Sequence, residues 1–93
     1  MIKMVNVAEL LPMGEYRLWL RFSDGSEGVH DFAKLIAEGG EMVEPLRDRL
    51  MFQRAFLSLG VPTWPNGFDL DAINLHIEMK KAEALRQAAV MTR

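Results

Sequence analysis

Two histidines and a scatter of carboxylates are the side chains here best suited to acid–base chemistry near neutral pH. Their spacing offers two pairings, His30 with Asp24 or Asp31 and His76 with Asp69. His30 and Asp31 are neighbours in a stretch that reads as a strand, so they point to opposite faces. His76 falls in a helical run beside Asn74, Glu78 and Lys80, which suggests solvent or an interface. Asp24, Asp69 and Asp71 are accounted for by turns and helix caps. The absence of cysteine removes a thiolate nucleophile, a disulfide framework and Cys-ligated zinc. Two histidines at no ligand spacing argue against a metal site. Gly39-Gly40 ends a helix instead of opening one, so it is no phosphate cradle. The expectation is therefore no catalytic residue, no metal, no cofactor and no enzymatic activity.

What remains is binding, and the stretch that would present it is Tyr16–Asp31. Asp24-Gly25 between alternating apolar and polar residues reads as a hairpin with a two-residue left-handed loop. That loop fixes a register: Phe22 faces Glu27, Arg21 faces Gly28, Leu20 faces Val29 and Trp19 faces His30. Tyr16, Leu18, Leu20, Phe22 and Val29 then share a core face, while Arg17, Trp19, Arg21 and His30 share the other. A large aromatic between two arginines is an odd composition for a solvated surface. Trp and Arg are enriched at binding hot spots, so the second face reads as a docking patch. The alternative is a Trp19 covered by the chain's own C-terminal helix, with the arginines stacked on it or reaching solvent.

The elements that position this face follow from the pattern. Residues 2–11 read as a first strand, and Pro12-Met13-Gly14 turns the chain into the second. A three-stranded antiparallel meander results. Asp31 caps a short helix with Phe32, Leu35 and Ile36 on one stripe, stopped at Gly39-Gly40. Pro45–Met51 gives one or two helical turns anchored by Leu46 and Phe52. Ala55-Phe56-Leu57 fits a short strand, and Pro62 leaves Val61–Trp64 at best an edge strand. Pro65-Asn66-Gly67 is turn chemistry. Asp69 or Asp71 then caps a helix from about Ala72 to Met91, rich in good helix formers. Such a helix extends ~30 Å, longer than the sheet needs, so its last turns should protrude and suit a homodimer.

With 93 residues, 49% hydrophobic and 26% charged, the chain fits one globular α+β domain. Residues 1–70 form the sheet-containing core and 71–91 the long helix. Met1-Ile2-Lys3-Met4 does not open a signal peptide, and no apolar run could span a bilayer, so a cytoplasmic location is expected. The net charge of −2 argues against nucleic acid. The balance is uneven, with four basic and eight acidic residues over 1–45 and seven and five over 46–93. The basic second half, Lys80, Lys81, Arg86 and Arg93 included, would suit self-association or an acidic partner.

An ordered set of short motifs carries a family resemblance. They are Tyr16-Arg17-Leu18 with Phe22–Gly25, Val29-His30-Asp31 with Leu35-Ile36, Pro45–Asp48 with Phe52, and Trp64–Gly67 with Asp69-Leu70. Over about residues 3–75 the chain resembles a bacterial domain-of-unknown-function family, number two-four-four-two. That resemblance implies a small α+β fold with an antiparallel sheet and supplies no catalytic residue. Some members resemble partners in toxin–antitoxin-like operons, and some carry a C-terminal helix-turn-helix for which this chain has no room. The stretch between Phe52 and Trp64 is shorter and more apolar than the family's strand–turn–strand, which speaks against a clean hairpin there. After Asp71 the usual continuation is replaced by Ala72–His76 and an unusually long helix.

Together these point to a non-enzymatic interaction or regulatory module, antitoxin-like or inhibitor-like, docking a protein through Arg17, Trp19, Arg21 and His30. One alternative is a nucleic-acid regulator using the basic C-terminal helix. The other is a small-molecule enzyme or sensor, which would need a concave pocket containing His30 or His76.

Overall fold

The computed structural model describes residues 5–87. Three antiparallel strands, β1 (Val7–Pro12), β2 (Arg17–Phe22) and β3 (Ser26–Asp31), form the expected meander. On β2 the alternation is strict: Leu18, Leu20 and Phe22 are fully buried, while Arg17, Trp19 and Arg21 are not. The hydrophobic pattern thus fixes the faces of the central strand.

The register between β2 and β3 differs by one residue from the two-residue-loop reading. Trp19 faces Val29, Leu18 faces His30, Leu20 faces Gly28 and Arg21 faces Glu27. The loop holds three residues, Ser23-Asp24-Gly25. Gly25 donates its N–H to the Phe22 carbonyl at 2.9 Å, and only Gly25 takes positive φ. This is a turn followed by a left-handed glycine, the standard three-residue hairpin. The Asp24 carboxylate accepts from the N–H and hydroxyl of Ser26, so Asp24 acts through its side chain instead of adopting a left-handed backbone. The one-residue shift sends His30 to the inner face and Val29 to the outer.

Asp31 accepts from the Ala33 N–H in a turn just ahead of α1 (Ala33–Glu38). The N-cap position is Phe32, with no side-chain cap, which corrects the expected Asp31 cap. The helix stops at Gly39 and Gly40, both at positive φ. A 3-10 turn (Glu44–Arg47) and α2 (Arg49–Phe52) follow, anchored as expected by Leu46 and Phe52 at zero exposure. β4 (Phe56–Ser58) and β5 (Val61–Thr63) then form a second, two-stranded sheet. This hairpin corrects the expectation that none would form between Phe52 and Trp64. Its two-residue loop, Leu59-Gly60, has both φ values positive, and the Gly60 carbonyl accepts from Val7 N–H at 2.8 Å, tying the hairpin to β1.

Asp71 caps α3 (Ala72–Lys81) by accepting from the Asn74 N–H. The helix is half the expected length, about 15 Å. Glu83 adopts left-handed φ, its N–H bonds the Lys80 carbonyl, and the Ala84 N–H reaches back to Met79. That is a Schellman stop on a non-glycine residue. The chain then pairs β6 (Arg86–Gln87) with the Ser26-Glu27 end of β3. Protruding turns over 82–87 are therefore absent, and the expected helix beyond residue 87 lies outside the described residues.

The core fills the space between the inner face of the meander and everything that follows it. Leu18, Leu20 and Phe22 share one cluster with Phe32, Ile36, Phe52, Trp64, Leu75 and Met79. Trp64 is 1% exposed and donates its indole N–H to the Phe52 carbonyl at 2.7 Å. Burying that N–H is tolerable only because it is bonded.

Candidate functional site

The outer face of the meander is built of three rows. The middle row runs Leu11, Trp19, Val29 across β1, β2 and β3. Leu11 is 57% exposed and Val29 41%, with Trp19 half-buried between them. The rows on either side are charged. Arg17 faces Asp31 on one side, and Arg21 lies between Glu9 and Glu27 on the other. Arg21 donates to Glu9 at 3.0 Å, and that bond and charge raise the guanidinium pKa still further. Arg86 pairs with Glu27 at 3.3 Å. Shallow grooves of about 200 and 290 Å³ flank the indole, one toward Leu11, the other toward Val29 and Leu85.

Among the described residues α3 does not cover Trp19, although residues 83–86 after it flank the indole. Leu75 and Met79 of α3 belong to the inner core, and His76 stacks edge-on against Phe22 at 4.9 Å. Of the four residues expected on the docking face, Arg17, Trp19 and Arg21 lie there together. His30 does not. The three-residue loop places it on the inner face beside Leu18, with its ring edge-on to Phe32 at 4.6 Å. Val29 takes its place.

His30 instead lines a groove of about 440 Å³ between α1 and α3. Burial pushes its pKa down, against the opposing pull of Glu78 and Asp31. Burial therefore favours the neutral imidazole.

The second histidine also finds an unexpected partner. His76 bonds Asp24 at 3.0 Å, not Asp69, and the Ser26 hydroxyl bonds the other Asp24 oxygen at 2.7 Å. Burial alone would raise the Asp24 carboxyl, but the bonds from Ser26 and His76 outweigh it and hold its pKa below the usual range. The residue types suggest a nucleophile relay, yet the order is wrong. In a relay the imidazole stands between hydroxyl and carboxylate; here the carboxylate stands between the other two. Ser26 is only 4% exposed, at the bottom of a shallow groove of about 240 Å³ that it shares with Asp24, His76 and Lys80. The trio instead fastens the hairpin loop to α3. Nothing local in the sequence signals it, since 52 positions separate Asp24 from His76.

Among the described residues no three His, Cys, Asp or Glu side chains converge as a metal site requires. No helix among them is long and apolar enough to cross a membrane. No curated protein and no solved structure matches the chain. A sequence family described as "Protein of unknown function (DUF2442)" matches residues 7–90, further toward the C-terminus than the short motifs alone reach. With nearly the whole length matched and the motifs in their expected order on an α+β fold, the chain belongs to the DUF2442 family.

Proposed function

We propose that this protein is a non-enzymatic interaction module that docks a protein partner on the outer face of its meander. One observation carries the reading: an apolar row centred on Trp19 stands open on one side of the sheet while α3 packs on the other. A partly buried Trp flanked by arginines and by the exposed Leu11 and Val29 is the composition of a hot spot. The charged rows on either side supply a polar rim and would fix the partner's orientation. A regulatory role of the antitoxin or inhibitor kind suits a module that presents such a patch.

Co-purification with the products of the adjacent genes tests this. A hot-spot Trp19→Ala should weaken a captured partner by more than about tenfold. His30→Gln, on the opposite face, should leave it unchanged. Equal capture by the Trp19→Ala and wild-type chains would overturn the proposal. A salt titration with single-stranded and duplex DNA separates the nucleic-acid alternative, for which phosphate contacts demand steep weakening as salt rises.

A further inference from the structure

We propose that the groove between α1 and α3 binds a small organic cation with an apolar body, at a site that shares only Asp31 with the rim of the docking face. Its floor is apolar: Phe32 and Leu75 are 3% and 5% exposed, with Leu35 and Leu70 partly buried beside them. The volume of about 440 Å³ falls in the range of small-molecule sites, roughly 300–1,000 Å³.

The walls decide the charge of the occupant. Asp31, Glu38, Asp71 and Glu78 line the groove against a single ammonium, Lys34. Asp71 commits one oxygen to the cap of α3, and Asp31 commits one to the Ala33 N–H. Glu38 and Glu78 have no salt-bridge partner among the described residues. Four carboxylates around an apolar lining repel an anion and favour an ammonium or amidinium head whose body lies against the partly exposed Leu35 and Leu70. His30 stands at the end of this groove with no hydrogen-bond partner among the described residues. Its neutral ring offers a nitrogen to an N–H donor without repelling a positive charge.

The test uses two indoles that differ in charge, tryptamine and indole-3-propionate, titrated into the isotope-labelled full chain and followed by amide NMR shifts. Tryptamine should move the amides of Leu35, Glu38, Asn74 and Glu78, with a dissociation constant on the order of 1 mM. Indole-3-propionate should bind at least about tenfold more weakly. The double variant Glu38→Gln with Glu78→Gln should weaken tryptamine by about threefold or more. Both side chains are exposed, so the fold should be kept. Trp19→Ala should bind tryptamine like the wild type, which keeps this test independent of the docking face. Equal binding of the two indoles, shifts centred on Trp19, or no groove shift at about 10 mM tryptamine would each overturn the proposal.

Discussion

The two faces of β2 share the same backbone hydrogen bonds and differ in nearly everything else. Leu18, Leu20 and Phe22 meet the helices and have no exposure. Arg17, Trp19 and Arg21 alternate with them along six residues and meet none of the core. Each inner side chain contributes on the order of 1.5–3 kcal/mol by leaving water. Outer cross-strand pairs contribute roughly 0.2–1 kcal/mol. On the proposed reading, stability and recognition are separated by the pleat of one strand, and the outer residues would be free to serve a partner because the fold asks little of them. The ion pairs of Arg21 with Glu9 and of Arg86 with Glu27 border the apolar row and keep it from becoming a continuous sticky surface.

The two tryptophans give the largest test of this division. Trp64 lies in the core, in aromatic contact with Phe32, Phe52 and Phe68, and carries a buried hydrogen bond. Trp64→Ala should cost about 3–5 kcal/mol, enough to unfold much of the population of a domain this size. Trp19→Ala should cost under about 1 kcal/mol. Urea unfolding followed by far-UV circular dichroism measures both without relying on indole fluorescence. Equal costs would make Trp19 a structural residue and collapse the distinction between the faces.

Adjacent residues of β3 sharpen the comparison at a smaller scale. Gly28 sits opposite Leu20, and a Cβ there would run into the carbonyl oxygen of Ala84. Because the obstruction is backbone, it cannot rotate away. Gly28→Ala should force the segment between α3 and β6 off the sheet at about 1–3 kcal/mol. Val29→Ala, one position on and facing out, should cost under about 1 kcal/mol. A neutral Gly28→Ala in the same urea experiment would show that the Ala84 segment can shift at little cost.

How much of this was legible in the sequence depends on how local the cause is. The faces of β2, the Asp71 cap and the Gly39-Gly40 stop follow from near neighbours, and all can be read. The loop at Asp24-Gly25 could not be counted from its own residues, because Asp-Gly suits both a two- and a three-residue turn. The Asp24 side chain bonds to Ser26 and to the distant His76, which anchors the three-residue form. That single count misplaced His30 and Val29 while leaving Arg17, Trp19 and Arg21 correct. The true two-residue left-handed turn is Leu59-Gly60, where an exposed leucine holds a position that asparagine or glycine favours. Its only signal is Gly60. The end of α3 is hidden for a different reason. Ala82 to Arg86 are good helix formers, so propensity runs on past Lys81, while pairing of Arg86 and Gln87 with β3 overrides it.

The pH response of the inner face provides the finest test. Burial lowers the pKa of His30 below its ordinary 6.5, so the folded state resists taking up the proton that the unfolded chain accepts. Its groove neighbours are Asp31 on its own strand, Lys34 and Glu38 on α1, and Asp71 and Glu78 on α3. Glu78 and Asp31 favour the charged ring, but burial prevails. A group with a depressed basic pKa stabilises the fold fully above the unfolded pKa. That contribution is lost as pH falls through 6.5 toward the folded value, because the unfolded chain then binds more protons. The carboxylates and His76 are common to both chains compared, so the comparison isolates His30. The wild type should therefore lose more urea stability between about pH 7.5 and pH 5.5 than His30→Phe, which keeps an aromatic ring against Phe32. Identical losses in the two chains would mean that His30 titrates as freely folded as unfolded, and that its inner-face position leaves it fully hydrated.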